Sequence, residues 1–214
     1  MKIGILGTGM VGETIGGALI ARGHDVMMGS RSAGNEKAVA WAAKAGPRAS
    51  QGTFGDVGAF AELAFNCTSG DGSLAAATAA GPGLRGKILV DVTNPLDFSK
   101  GRPPTLFFRG DDSLGEQIQR ALPDVRVVKA LNTINARLMV EPTKLAGGAH
   151  DLFIAGNDGA AKAAVIELLR TFGWSSFIDL GDISGARATE HYMPLWLRLY
   201  GTFQSPEFSI KIVR

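Results

Sequence analysis

A chain of 214 residues is long enough for one large domain with a small addition. Hydrophobic residues make up 45% of the chain and charged residues 20%, which excludes a disordered or fibrous protein. The 22 basic and 20 acidic residues leave a net charge of +2 and are scattered along the chain, so no basic stripe favours nucleic acid as a partner.

The chain begins with alternating strand and helix patterns. Apolar residues from 2 to 6 predict a strand, and the periodicity from 10 to about 22 predicts a helix. The letters GHDVMMGSR predict a turn and a second strand that ends near Gly29. The letters NEKAVAWAAKAG then predict a second helix, which Gly46 and Pro47 stop.

The alternation continues through the middle of the chain. RASQG predicts a weak third strand, ELAFNCTS a buried fourth and KILVDVTN a fifth. Residues 95–112 hold three prolines and two glycines without a period, so we expect a long loop there. A helix over SLGEQIQRAL follows, with Ser113 and Glu116 in a capping-box pattern.

The last part of the chain adds three strands and more helix. VRVVKAL and DLFIAG predict the sixth and seventh strands, and a helix runs from its cap at Asp158 to Gly173. SSFIDLG predicts a further strand, HYMPLWLRLYGTF an apolar-rich helix, and FSIKIVR a strand-like end.

Three glycines after the first strand have the spacing of a dinucleotide site. In GTGMVG, Gly7 permits the tight turn, Gly9 lets the backbone approach a pyrophosphate, and Gly12 lets the helix pack on the strand. The unpaired N–H groups at the helix start would face the phosphates. The predicted cofactor-binding residues of this loop are Gly7, Thr8, Gly9, Met10, Val11 and Gly12.

The motif and the alternating elements predict an α/β fold. We expect a doubly wound, mostly parallel Rossmann-type sheet with helices on both faces and a C-terminal helical appendage. Residues 1–180 should form the dinucleotide-binding domain. Residues 181–214 should form the appendage, which packs on the same domain or on a dimer partner.

The end of the second strand indicates which dinucleotide binds. An NAD site places an acidic residue there, whereas this chain has Gly29 followed by Ser30 and Arg31. Arg31 can bind a 2'-phosphate through charge-assisted hydrogen bonds, and Ser30 can donate another. These residues favour NADP(H) over NAD(H). Lys37 is a weaker candidate for the same pocket.

Polar residues follow three later strands at the expected ligand edge of the sheet. We expect their hydroxyls, amides and backbone groups to orient the nicotinamide half of the cofactor, although local turn chemistry is an equal alternative for each alone. The candidates are Cys67, Thr68, Ser69, Thr93, Asn94, Asn132, Thr133 and Ile134.

Proton-transfer residues are scarce. His24 and His150 lie in predicted turns or loops, and only His191 and Tyr192 are placed to reach a pocket. Cys67 is interpreted as a core residue. No catalytic residue is therefore assigned. The cysteine and histidine spacing predicts no metal site. Hydride exchange between a nicotinamide and a flavin-type ring needs little from side chains, because both rings carry the chemistry. A flavin-type molecule is therefore the expected co-substrate.

Four segments that span nearly the whole chain resemble the NADP oxidoreductases that depend on the deazaflavin coenzyme F-420, together with their bacterial relatives and the NADPH-binding domain of the STEAP metalloreductases. They read ILGTGMVGETIGGALIARGHDVMMGSR, VVKALNTINA, FIAGNDGAAK and FSIKIVR. The resemblance implies NADP contacts at residues 8–11, Ser30, Arg31 and the backbone around Ala136. It also implies that Ile134 lies beneath or beside the deazaflavin.

Two other functions fit parts of the sequence. The 3-hydroxyacid dehydrogenase and pyrroline-carboxylate reductase group shares the glycine loop but adds a large helical domain, for which too few residues remain after Ser175. A non-catalytic NADPH-binding redox sensor fits the shortage of proton-transfer residues equally well.

Location and assembly are also expectations from the sequence. The single Cys67 is typical of a reducing compartment, and the sequence before the glycine motif does not have the pattern of a signal peptide. No apolar run approaches the length of about 18 residues that a membrane span needs. We therefore expect a soluble, cytoplasmic protein with no membrane contact. The C-terminal helix concentrates more apolar surface than a monomer readily hides, and the resemblance points to pairing through this region. We therefore expect a homodimer.

Overall fold

The computed structural model describes residues 1–108 and 110–214. The strands are β1 (Lys2–Leu6), β2 (Asp25–Ser30), β3 (Ala49–Thr53), β4 (Leu63–Asn66), β5 (Ile88–Asp91), β6 (Leu96–Asp97), β7 (Thr105–Leu106), β8 (Arg126–Ala130), β9 (Leu152–Ala155) and β10 (Phe177–Asp179). The helices are α1 (Met10–Ala21), α2 (Glu36–Ala45), α3 (Phe54–Phe60), α4 (Gly70–Leu84), α5 (Leu114–Ala121), α6 (Ala136–Val140), α7 (Gly159–Arg170), α8 (Ala186–His191) and α9 (Met193–Phe203).

Eight strands form one sheet in the order β10-β9-β8-β5-β4-β1-β2-β3. All neighbours are parallel except β8 and β9, so the predicted doubly wound, mostly parallel sheet is confirmed. The chain runs outward from β1 to β3 and then returns to place β4 on the other side of β1. Such a reversal opens a crevice at the carboxyl ends of β1 and β4, where ligands of this fold class bind.

Alternate strand residues build a core on each face of the sheet. Ile3 and Ile5 pack with α1, α2, α6 and α7 on one face, whereas Leu6 packs with α3, α4 and α5 on the other. Because side chains alternate across a strand, a parallel strand buried on both faces consists almost entirely of apolar residues. This explains the largely apolar runs that predicted β1, β4, β5 and β8.

Helices α3 and α4 are among the helices that the sequence did not predict. Small residues occupy most of their buried positions, and the glycines allow a very close approach: a Cβ atom on Gly58 would lie 2.2 Å from the Ala80 carbonyl oxygen, and one on Gly83 would lie 2.3 Å from the Gly58 carbonyl carbon. The two helices therefore pack backbone against backbone. That contact depends on tertiary structure and leaves no periodic signal.

Two predictions need correction, one for the loop over residues 95–112 and one for the C-terminal tail. The loop expected over residues 95–112 contains a short hairpin, in which β6 and β7 pair antiparallel. The strand expected over FSIKIVR is wrong, because residues 208–214 have no regular structure. Buried Asp151 fastens this tail instead: its carboxylate accepts from Lys211 Nζ at 3.0 Å and from the Ile212 N–H at 2.6 Å. The pairing is too irregular for a strand.

Candidate functional site

The glycine loop between β1 and α1 forms a cradle built from backbone. Gly7 has φ +110, and a Cβ there would lie 2.9 Å from the Cys67 carbonyl oxygen. A Cβ on Gly12 would lie 2.5 Å from the Gly7 carbonyl oxygen, so only glycine lets α1 sit this close to β1. Gly9 caps α1 and faces open space, with nothing within 4 Å of the point that a Cβ atom would occupy. The first turn of α1 therefore opens towards a ligand-sized space with its N–H groups unpaired within the helix.

The residues expected to bind the 2'-phosphate on the cofactor's ribose lie at the end of β2. Ser30 is buried, and its hydroxyl donates to the Ser32 carbonyl oxygen at 2.6 Å, so it shapes the turn. Arg31 follows on the exposed surface, and among the described residues no carboxylate forms an ion pair with it. Lys37, in the first turn of α2, lines a groove of about 740 Å³ together with Thr8 and Gly9. Arg31 and Lys37 thus supply positive charge near the glycine loop.

The loops after β4 and β5 meet in one cleft of about 580 Å³. Val11 of α1 closes one side, and Phe98 and Phe107 of the hairpin close another. The sequence-predicted residues that the structure brings together here are Val11, Cys67, Thr68, Ser69, Thr93 and Asn94. Burial, with a smaller contribution from the charge of Asp91, raises the pKa of the Cys67 thiol, so this cysteine stays protonated and is not a nucleophile.

The loop after β8 is hydrogen-bonded to the loop after β5, which lines the cleft. Leu131 has φ +66, a left-handed conformation that is rare for leucine and that turns the chain directly after β8. Asn132 then donates to Asn94 Oδ1 at 3.0 Å, and Asn94 Nδ2 donates back to the Asn132 carbonyl oxygen at 2.8 Å. Three further predicted residues are buried and do not line the cleft: Thr133, Ile134 and Ala136.

A fully buried lysine lies beneath the cleft. Lys129 Nζ lies 2.8 Å from Asp91 Oδ2, 2.7 Å from Glu190 Oε1 and 2.6 Å from the Thr93 carbonyl oxygen. Burial by itself would lower the pKa of Lys129, but the two carboxylates outweigh it and raise that pKa, so the lysine is charged. Burial also raises the pKa of Glu190, although the carboxylate is stabilised by N–H donors from Leu114 and Gly115 at 2.8 and 3.1 Å.

Hydrogen bonds connect this cluster to the cleft surface. Thr93 Oγ1 donates to Asp91 Oδ1 at 2.8 Å and lies 3.2 Å from Ser73 Oγ. Asn66 Nδ2 donates to Ser73 Oγ at 2.9 Å, and Thr68 Oγ1 donates to Asn66 Oδ1 at 2.7 Å. The hydroxyls of Thr68 and Thr93, which line the cleft, are therefore held in fixed orientations.

Sequence reasoning missed five members of this network. For Asp91 and Lys129 the available signal was a charged residue inside a strand that is otherwise apolar, as in KILVDVTN and VRVVKAL, because such a charge needs a buried partner. The missed residues are Asn66, Ser73, Asp91, Lys129 and Glu190.

The two side chains considered for proton transfer lie elsewhere. His191 ends α8, where its Nδ1 is 2.8 Å from the Arg187 carbonyl oxygen, and Tyr192 follows it. Neither lines the cleft, and no histidine, tyrosine or lysine side chain of the described residues does. The described residues contain no cluster of three or more histidine, cysteine or carboxylate side chains placed to hold a metal. No helix among them is long and apolar enough to span a bilayer.

Removing the buried ammonium should destabilise the protein far more than removing an exposed one. Lys129→Met leaves Asp91 and Glu190 uncompensated, so we expect a loss of about 3 to 5 kcal/mol in the free energy of unfolding. The control is Lys144→Met at an exposed position, where a change within about 0.5 kcal/mol is expected. Urea denaturation measures both. Equal, small effects would contradict the role given to Lys129.

Comparisons with known proteins place the chain in a family. The family model for NADP oxidoreductases dependent on coenzyme F-420 matches residues 2–95. The F-420-dependent NADP reductase of Methanothermobacter marburgensis is 30% identical over 210 residues, which cover 93% of this chain and 92% of that protein. The enzyme of the same name from Methanocaldococcus jannaschii is 31% identical over 130 residues, which cover 60% of this chain but only 57% of that protein.

Two further matches agree with these. Rat metalloreductase STEAP3 is 30% identical over 201 residues, which cover 91% of this chain but 38% of that protein. A crystal structure from an Arthrobacter species, described provisionally as an F-420-dependent NADP reductase, superposes with a TM-score of 0.95 at 50% identity and full coverage of both chains. The predicted family resemblance is confirmed: the chain belongs to the family of F-420-dependent NADP oxidoreductases.

Proposed function

We propose that the protein is an NADP-dependent oxidoreductase that transfers a hydride between NADP(H) and a flavin-type acceptor, with the deazaflavin F-420 as the foremost candidate. The observation that carries this proposal is that Val11, which is part of the glycine motif and lies in the first turn of α1, also lines the cleft. A dinucleotide on the loop and a ring in the cleft would be neighbours. The names of the two archaeal relatives, F-420-dependent NADP reductase, support the same reaction.

The residues of the site fit NADP. The first turn of α1 receives the pyrophosphate where Gly9 leaves open space, and Arg31 and Lys37 attract the 2'-phosphate beside the turn that Ser30 shapes. The proposed residues that line or support the nicotinamide half are Cys67, Thr68, Ser69, Asn94, Asn132, Thr133, Ile134 and Ala136.

The chain's own part in the reaction is positioning. Bound NADPH would supply a hydride, and a flavin-type acceptor would take up that hydride together with one proton from solvent. No histidine, tyrosine or lysine of the described residues lines the cleft, whereas Asp71 and Asp97 do, and we assign no acid or base to the reaction. The cleft would hold two ring systems in register, and their orientation would supply the acceleration.

Arg31→Ala should narrow the preference for NADPH over NADH. We expect the wild-type protein to bind NADPH about 2 kcal/mol more tightly than NADH, because the charge-assisted contact to the 2'-phosphate is lost with NADH. Calorimetric titration of both cofactors tests this, with Arg85→Ala at an exposed distant position as the matched control. Unchanged NADPH affinity in Arg31→Ala would show that this arginine is only a solvated surface residue.

The reaction is tested directly by following the reduced-nicotinamide absorbance. NADPH with the pure protein and F-420, FMN, FAD or riboflavin should lose absorbance in proportion to the acceptor reduced, most rapidly with the preferred acceptor. Heat-denatured protein provides the background rate. Tight NADPH binding without oxidation by any of the four acceptors would instead support the redox-sensor alternative.

We also propose a homodimer. Of ten large hydrophobic side chains that are exposed among the described residues, seven lie on the hairpin region or in the C-terminal segment. They are Phe98, Phe107, Leu195, Tyr200, Phe203, Ile212 and Val213. A cluster of this kind is typical of an interface. Light scattering at micromolar concentration should give twice the monomer mass, and a monomer would refute the proposal.

We also propose that residues 1–180 form the NADP-binding domain and residues 181–214 the appendage. The single cysteine supports a cytoplasmic location. The balanced charge gives no support for nucleic acid as a partner.

A further inference from the structure

The loop after β8, residues 131–135, is held from two sides. Asn132 exchanges two hydrogen bonds with Asn94, which lines the cleft, at 3.0 and 2.8 Å. Asn135, at the other end of the loop, donates from Nδ2 to the Pro206 carbonyl oxygen at 2.6 Å. In the described part of the chain, these two asparagines make all the side-chain hydrogen bonds that join the loop to segments other than α6. The loop therefore lies between the cleft and the C-terminal tail.

The loop needs these attachments because its backbone is strained. Leu131 has φ +66, and a left-handed conformation is unfavourable for leucine and persists only where surrounding contacts hold it. The backbone hydrogen bond that closes this turn, from the Ile134 N–H to the Leu131 carbonyl oxygen, is long at 3.4 Å. The turn is thus weakly closed by itself, and the loss of one attachment would let the loop relax.

The tail, residues 204–214, is anchored beyond its contact with the loop. Phe208 packs against Trp196 of α9, with the ring centroids 5.2 Å apart. Buried Asp151, directly before β9, accepts from Lys211 Nζ at 3.0 Å and from the Ile212 N–H at 2.6 Å. The tail is therefore fixed both to α9 and to the sheet, and it can serve as a fixed point for the loop.

We propose that the tail positions the nicotinamide half of the cofactor through Asn135. The amide of Asn135 holds the loop against the tail, and the hydrogen-bonded pair of Asn132 and Asn94 transmits that position to the cleft wall. The inference rests on the proposed function and adds a positioning residue to it. The adenosine half, which the glycine loop and Arg31 would bind, lies outside this series of contacts. Release of Asn135 should therefore weaken binding of the nicotinamide half alone.

Asn135→Ser separates the two tasks of this side chain. Asn135 Oδ1 caps α6 by accepting from the Leu138 N–H at 3.1 Å, and serine is also a good cap but is too short to reach Pro206. NADP⁺ and adenosine 2',5'-bisphosphate, which lacks the nicotinamide half, are each titrated into the full chain by calorimetry. We expect the Kd for NADP⁺ to rise about tenfold, as when the released loop adopts its bound arrangement in one molecule in ten. The Kd for the bisphosphate should stay unchanged.

Asp151→Asn tests the tail by an independent route. It removes the charge that pairs with Lys211, and Asp151 neither lines the cleft nor forms a hydrogen bond to the loop. It should reproduce the selective loss of NADP⁺ affinity at about threefold, as for a partly exposed ion pair. Asn157→Ser is the matched control, because it removes an acceptor of the Ile183 N–H at 3.0 Å and does not touch the tail's anchors. It should change neither affinity.

The contradicting outcomes are distinct. Unchanged NADP⁺ affinity in Asn135→Ser, or an equal loss for both ligands, would overturn the proposal. Unchanged NADP⁺ affinity in Asp151→Asn would show that Asn135 acts without the tail and would overturn it too. If Asn135→Ser does not fold, Asp151→Asn decides by the same two titrations. If only the proposed reaction is wrong, the selective loss of NADP⁺ affinity remains, but no acceptor oxidises NADPH.

Discussion

The charge on Lys129 is the constraint on which the arrangement of the cleft depends. An ammonium group without solvent contact is tolerated only when its charge is compensated and its N–H donors are hydrogen-bonded. Asp91 and Glu190 compensate the charge, and the Thr93 carbonyl oxygen accepts a third hydrogen bond. These acceptors come from β5, from the turn that follows it and from α8. The C-terminal segment therefore cannot leave the sheet without exposing a buried charge, and the turn that carries Thr93 cannot move independently of either.

Two carboxylates around one ammonium leave an excess of negative charge, and α5 compensates for it. Glu190 accepts from the Leu114 and Gly115 N–H groups, so the positive end of the helix dipole faces the second carboxylate. This contact needs α5 and α8 to lie very close together, and a Cβ atom on Gly115 would be 2.9 Å from the Ala186 Cβ atom. Gly115 is thus part of the electrostatic arrangement, although it carries no charge.

The features that the sequence predicts are local, whereas the features that it does not predict join residues that are distant along the chain. The glycine loop is local, since Gly7, Gly9 and Gly12 determine the backbone path within six residues, and its position between β1 and α1 follows from the sequence alone. The buried cluster is not local. Asp91 and Lys129 are 38 residues apart and become neighbours because β5 and β8 pair in that register, which no residue pattern specifies. The contact of α3 with α4 escaped prediction for the same reason, since glycine backbones that meet in space leave no periodicity.

The acceptor-only chemistry of a carboxylate sets the direction of every hydrogen bond between the cluster and the cleft. Thr93 donates to Asp91, so Ser73 must donate to Thr93. Ser73 Oγ is then free to accept from the Asn66 amide, whose oxygen accepts from Thr68. The hydroxyl hydrogen of Thr68 therefore points towards Asn66, and only the lone pairs of the Thr68 hydroxyl oxygen remain for the cleft. A hydroxyl fixed in this way accepts and does not donate, so a buried charge some distance below the surface makes this position suitable for a ligand N–H group.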